Sequence, residues 1–343
     1  MNKLKTLARR IRSMSFKRYF FYAGRASRES GRFMLSVLFD MFLCAFRYGV
    51  GYLDYYIFGF ARITKDSDRR TFMTMPDNLN LFKLVNDEKA TEIFENKDRF
   101  DRVFSEYLGR SFLDLDECSE EQFCRFCDGK GRFFAKITDA FGGLGVKAVT
   151  VPETDEDRKK LFSGLREEHY GLAEEEIRQH SAMSSLCSRS VNTLRMTTLI
   201  GKDGAPHLMY VLIRIGRGNA DVDNITSGGM YSQIDIEEGV IRAPAFCDKT
   251  GDVYYKHPVS GTEIVGFRIP YFEEAKALVL KAALKVPEVR YVGWDVAITE
   301  NGPVFVEGNT IPGYDMCQNY RHLPKNNKTG VLPKFREVLG CDF

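Results

Sequence analysis

The 343-residue sequence predicts an α+β fold built on antiparallel sheets, and three observations carry that prediction. Thr193–Ile200 and His207–Ile215 are apolar runs that alternate as strands, joined at Lys202-Asp203-Gly204-Ala205, a hairpin signal. A second pair, Tyr291–Thr299 and Pro303–Glu307, flanks Glu300-Asn301-Gly302, and Asn-Gly between apolar runs marks a tight turn. Residues 1–96, by contrast, lack strand alternation and read as mostly helical, with no strand, glycine loop and helix in succession. A doubly wound parallel sheet is therefore not expected.

From the N-terminus, residues 1–32 hold ten Lys/Arg against the single acid Glu29, a local charge of +9. The remaining chain is mildly acidic, so the whole carries only +2, and no nucleic-acid partner is implied. The leader has no small-residue cleavage site and does not read as a signal peptide. The apolar zone that follows, Phe33–Ile63, is cut by Asp40, Arg47 and Asp54. It is not the uncharged stretch of about 18 residues that a spanning helix needs. Those charges recur every seven residues, so a continuous helix would be wetted along one stripe only. Such a helix serves either as a core element or as an in-plane helix beside a basic segment that prefers anionic lipid.

Further along, Lys97–Leu108 and Glu120–Cys127 read as helices, Arg132–Thr138 and Val146–Val151 as strands around a glycine-rich loop, and Glu156–Leu165 and Glu273–Leu284 as helices. Of the eight cysteines, only Cys124 and Cys127 have ligand-like spacing, and no second close pair or nearby His completes a zinc site. Free thiols and a cytoplasmic location are the expectation.

Two segments carry chemistry. On the last hairpin, Glu307 and Asn309 are two apart and share a face, which Asp295 reaches from the partner strand. Two acids and an amide among Val, Ile and Phe are costly to bury unless something pairs them, and hard oxygen donors suit Mg²⁺. The second segment runs from Phe133 to Val146. A strand lysine, Lys136, precedes Gly142, Gly143 and Gly145, which places an ammonium and backbone N–H groups where they can surround phosphates. No Gly-Lys-Ser/Thr opens a helix there, so it is not a Walker loop, and a strand follows where a dinucleotide-binding turn would have a helix.

Together these segments resemble the ATP-grasp superfamily. The resemblance implies a small lid domain plus a larger antiparallel-sheet domain, here with a mostly helical N-terminal extension. ATP and Mg²⁺ are the implied cofactors. Lys136 with Gly142, Gly143 and Gly145 matches the lid pattern, with Ala140 standing where a further glycine is frequent. Asp295, Glu307 and Asn309 match the metal pattern, and Lys97 resembles the lysine that opens the lid. Leu172–Ile177 fits the hinge that contacts adenine, with Ile177 as the aliphatic residue and either Glu174 or Glu175 as the acid; a solvated acidic helix face is the alternative. Arg195 and Arg214 each lie in an apolar strand, where a guanidinium needs an anionic partner. Asn224, Gly228 and Gly229 resemble the segment that follows the catalytic arginine of ribosomal-protein glutamate ligases. That match implies Arg214 as the catalytic cation and Arg195 as holder of a substrate carboxylate or phosphate.

The stretches around His257-Pro258 and Pro312–Gln318 are similar to the sugar-transfer-associated, glutamate-ligase-related branch, and His257, Asp315 and Gln318 become substrate-contact candidates. The resemblance covers roughly residues 80–320. The expected organisation is a basic leader (1–32), a helical region (33–96), a lid (97–172) and a sheet subdomain with the metal site (173–343). The implied reaction is ATP-dependent amide formation through an acyl phosphate, joining an amino acid and a sugar acid in surface-polysaccharide biosynthesis. Carboxylate and amine substrates, and an anionic membrane surface met by residues 1–60, are the expected partners. The alternatives are kinase-like phosphoryl transfer to a sugar and a non-catalytic scaffold for glycan assembly at the membrane.

Overall fold

The structure is a computed structural model and describes residues 15–138, 145–218, 228–324 and 326–343. The chain forms two compact units, one of residues Met1–Leu84 and Gly313–Phe343, the other of Val85–Pro312.

The first unit is helical. Helix α1 (Phe16–Ser30) starts at Ser15, whose hydroxyl accepts from Arg18 N, and stops at Gly31 in the left-handed region. Helices α2 (Met34–Tyr48) and α3 (Tyr52–Ile57) follow. The predicted continuous helix over the apolar zone therefore breaks at Gly49, whose φ of 74° ends α2. Its charged stripe is split: Arg47 is exposed as expected, but Asp40 is not. Asp40 turns inward, accepting from Arg69 at 2.6 and 2.9 Å, from Arg32 at 2.9 Å and from the Tyr55 hydroxyl at 2.7 Å. Burial raises the Asp40 carboxyl, but these bonds outweigh it and leave its pKa below the ordinary value.

The second unit carries two antiparallel sheets. The smaller has strand order β1-β4-β2-β3, with β1 Phe112–Asp114, β2 Arg132–Lys136, β3 Val146–Thr150 and β4 Leu172–Glu175. The larger has order β11-β10-β5-β6-β7-β8-β9, where β7 is Met230–Gln233, β8 Ala245–Cys247 and β9 Asp252–Tyr254. Its centre is β5 (Thr193–Ile200), β6 (Pro206–Ile215), β10 (Tyr291–Thr299) and β11 (Gly302–Asn309), close to the predicted hairpins. The helix expected over Lys97–Leu108 ends at Val103, and a single 3₁₀ turn, Ser105–Tyr107, follows. Phe104 leaves helical geometry to place its ring edge-on to Trp294 at 5.4 Å. Trp294 also stacks on Phe305 at 4.9 Å and donates its indole N–H to Thr198 Oγ1 at 2.9 Å. This aromatic cluster locks β10 to β11 and β5 beneath the site. Among the described residues no helix is long and apolar enough to cross a membrane.

Candidate active site

Strand alternation builds the site. With Trp294 pointing into the core, its neighbour Asp295 must point to the opposite face. Asp295 is paired in register with Arg195 of β5 on one side and with Glu307 of β11 on the other. Arg195 grips it with two bonds, Nε to Oδ1 at 2.5 Å and Nη2 to Oδ2 at 2.9 Å, and Arg214 adds Nη1 to Oδ2 at 2.9 Å. Burial would raise the Asp295 carboxyl, yet the two guanidinium charges hold it below its ordinary value. Glu307 goes the other way, because burial and the adjoining Asp295 carboxylate raise it. Asn309 Nδ2 donates to Glu307 Oε1 at 3.3 Å.

A cavity of about 290 Å³ opens beside these strands, lined by Lys97, Asp101, Lys136, Glu174, Glu307 and Asn309 with Phe94, Phe100, Val306 and Ile311. Asp295 is not among the lining residues. Lys136 Nζ sits 2.5 Å from Glu174 Oε1. Lys97, at the start of the helix Lys97–Val103, reaches across to the Ile137 carbonyl at 3.0 Å. Both sequence-predicted lysines, Glu174 and two of the three metal-pattern residues thus share one cavity.

The hinge segment is a strand over Leu172–Glu175, and its alternation separates the two acids. Glu174 faces the cavity, while Glu175 accepts from Ser111 N at 3.3 Å and Ser111 Oγ at 2.8 Å. Ile177 lies just beyond the strand and half-buried, outside the cavity lining.

Two further residues belong here that sequence reasoning missed. Arg110 contacts Glu174 through Nε at 2.7 Å and Nη2 at 2.6 Å, and donates to the Phe305 carbonyl. Asp101, 1 % exposed, lies 3.8 Å from the same guanidinium. Burial and the Glu174 charge push Asp101 up to about 8. Burial also opposes ionisation of Glu174, but Arg110 and Lys136 overcome it and keep that carboxyl below the ordinary range. The site therefore favours the anionic form of Glu174 and the protonated form of Asp101.

The remaining candidates are dispersed. Gly142, Gly143 and Asn224 lie outside the described residues. Gly145 closes the predicted loop at φ 72°, its carbonyl accepting from Ile137 N at 2.9 Å. Gly228, at φ 99°, and Gly229 lead into β7 (Met230–Gln233). His257 is not presented to a substrate. It is 2 % exposed, its Nε2 donates to the Gly216 carbonyl at 2.7 Å, and its Nδ1 accepts from Val259 N and Ser260 N. Asp315 and Gln318 belong to the helical unit. Gln318 is fully buried with its amide saturated: Oε1 accepts from Met73 N and Val331 N, and Nε2 donates to the carbonyls of Met73 and Tyr314. That leaves no atom for a substrate, so the expected contact is replaced by a clamp.

Among the described residues no three His, Cys, Asp or Glu side chains converge as a metal-binding group, at Cys124 and Cys127 or elsewhere. The hairpin donors nonetheless fit a hard cation. Asp295 is buried, Glu307 beside it lines the cavity, and an amide oxygen stands two residues on; a divalent ion would relieve the Asp295 repulsion that, after burial, raises Glu307.

Lid-like small sheet, large antiparallel sheet and acid-rich hairpin together define an ATP-grasp fold. The chain belongs to the sugar-transfer associated ATP-grasp family, whose model matches residues 137–329. Among solved structures, the D-alanine–D-alanine ligase of Coxiella burnetii is 14 % identical over 77 % of this chain and 65 % of that one, with a TM-score of 0.42. An ADP complex of purK, N5-carboxyaminoimidazole ribonucleotide synthetase, is 11 % identical over 73 % and 52 %, at 0.43. The ATP-grasp ligase PsnB with a precursor variant, Mg and ADP is 13 % identical over 74 % and 59 %, at 0.40. The chain thus spans two thirds or less of the length of each. No curated protein matches it in sequence.

Proposed function

We propose that the protein is an ATP- and Mg²⁺-dependent carboxylate–amine ligase that forms an amide through an acyl phosphate. The observation that carries this reading is the joining of Lys97, Lys136 and Glu307 around one cavity, with Asp295, ion-paired to Arg195 and Arg214, in register beside Glu307. Such a site stabilises charge on a transferring phosphoryl group, which is what acyl-phosphate chemistry requires. Lys136 and Lys97 bind phosphate oxygens. Asp295, Glu307 and Asn309 would hold Mg²⁺, which supplies neutralisation of phosphate charge. Glu174 orients Lys136, and Arg214 and Arg195, both held by Asp295, would compensate the charge that develops on the substrate carboxyl. The family association extends the reading to an amino acid and a sugar acid as substrates in surface-polysaccharide assembly. We also propose a cytoplasmic location, peripheral at an anionic membrane face.

Glu307→Gln is the cleanest probe. The glutamate is raised toward its neutral form, so the amide preserves shape and hydrogen bonding while removing a metal ligand. We expect amine-dependent ADP release, screened over uronic acids and amino acids, to fall at least 100-fold with thermal stability retained. ADP release with a sugar alone and a stable phosphorylated product would replace the ligase by a kinase. Absence of Mg²⁺-dependent ATP binding would favour a scaffold.

A further inference from the structure

We infer that the α1–α2 helical pair is an in-plane anchor that seats on an anionic phospholipid leaflet through the outer face of α2, an inference that rests on the membrane-surface placement proposed above and names the surface responsible. Helix α2 presents Leu35, Phe39, Phe42, Leu43 and Phe46 to solvent, at the spacing of one helical face. Phe33, just before it, is 88 % exposed, and Leu35 and Phe39 are 81 % and 64 % exposed. On α1, Phe16 and Phe20 are exposed one turn apart. A contiguous display of large apolar side chains on this scale marks an interaction surface.

Charge selects the occupant. From residue 1 to residue 48 the chain holds only two acids, Glu29 and Asp40. Both are spent inside the unit, Glu29 on Tyr56, Tyr320 and Arg321, and Asp40 on Arg69, Arg32 and Tyr55. The cations Lys17, Arg18 and Arg28 remain exposed on α1. The pair therefore offers apolar area and positive charge with no outward anion, the combination that partitions into an anionic interface. Length sets the mode. The 15 residues of α2 extend about 22 Å, short of the roughly 30 Å hydrocarbon core, so the helix lies along the leaflet. Tyr19 holds the two helices together, its hydroxyl donating to the Leu38 carbonyl at 2.8 Å.

The test is flotation of the full chain with phosphatidylcholine vesicles, with and without phosphatidylglycerol, in the absence of nucleotide. Binding is expected on the anionic vesicles, weakened by salt. The double variant Phe39→Glu, Phe42→Glu should partition about tenfold or more less well, because two apolar side chains are lost from the interface. Lys17→Glu should weaken binding and reduce its salt dependence. Circular dichroism checks that the exposed substitutions leave the fold unchanged. Failure of the wild type to bind anionic vesicles, or equal binding by the double variant, overturns the inference. So does a wild-type dimer in sedimentation velocity that the double variant converts to monomer, since the occupant is then a second copy. None of these readouts uses ADP release, so a failed anchor leaves the ligase reading untouched.

Discussion

Asp101 and Glu174 meet the same guanidinium, that of Arg110, yet titrate in opposite directions, because burial and the Glu174 charge raise Asp101 while Arg110 and Lys136 pair Glu174 directly. Their effects on stability fall in separate pH windows. The Asp101 carboxyl is raised in the folded chain, so the native state binds a proton that the unfolded chain has released above about pH 4. Its contribution is favourable at low pH and is lost as pH climbs toward about 8. Glu174 is lowered, so its contribution is full above the ordinary carboxylate range and disappears as pH falls below it. Asp101→Asn should flatten the decline of stability between about pH 5 and 8 while leaving the acid limb unchanged, measured by urea unfolding across pH. A decline that persists in Asp101→Asn would assign it to other groups. Asp295→Asn behaves differently from Glu307→Gln. It strips the shared anion from two guanidinium groups, and about 3–5 kcal/mol of stability should go with it.

At the scale of elements, what was legible followed from periodicity. Long strands with one core face, β5, β6, β10 and β11, announce themselves by alternation and by Asn301-Gly302, and the acid pair on the last hairpin followed from that register. Strands of three or four residues, β1 and β7 among them, are too short to show a period. Arg110 escaped notice for a related reason: it sits between a 3₁₀ turn and β1, and its carboxylate partner is 64 residues away. Asp101 looked like an ordinary polar helix residue until Glu174 and Arg110 enclosed it. Asp40 reads as part of a wetted stripe because a charge repeating every seven residues looks the same whether it faces water or a buried Arg69. Gly308, between Glu307 and Asn309, tests the fine geometry. A Cβ there would lie 2.7 Å from both Phe94 and Phe100, the rings that floor the cavity. Gly308→Ala should cost about 1–3 kcal/mol by overpacking and weaken ATP binding, measured by unfolding and by titration calorimetry. Unchanged affinity would separate those rings from the nucleotide.

At the scale of the whole molecule, the helical unit is made from both chain ends, and no local pattern reveals a pairing between residues 245 apart in sequence. Its closure rests on side chains that bridge those ends: Glu29 to Tyr320 and Arg321, Asp54 to Tyr314, and Gln318 to the backbone at Met73. Deleting residues 1–32 would therefore remove buried Tyr22, Ala23 and Ala26 together with Glu29, damaging the unit as well as its charge. Gln318→Ala isolates the clamp. It leaves the N–H and C=O of Met73 and the N–H of Val331 without this partner in a buried setting, at a cost on the order of 3 kcal/mol or more. The single tryptophan, Trp294, belongs to the other unit, so its emission reports that unit while far-ultraviolet circular dichroism reports both. We expect Gln318→Ala to begin losing helical ellipticity at lower urea than the wild type, with the Trp294 emission midpoint unchanged. Coincident, unshifted transitions would mean that the amide contributes nothing to holding the two chain ends together.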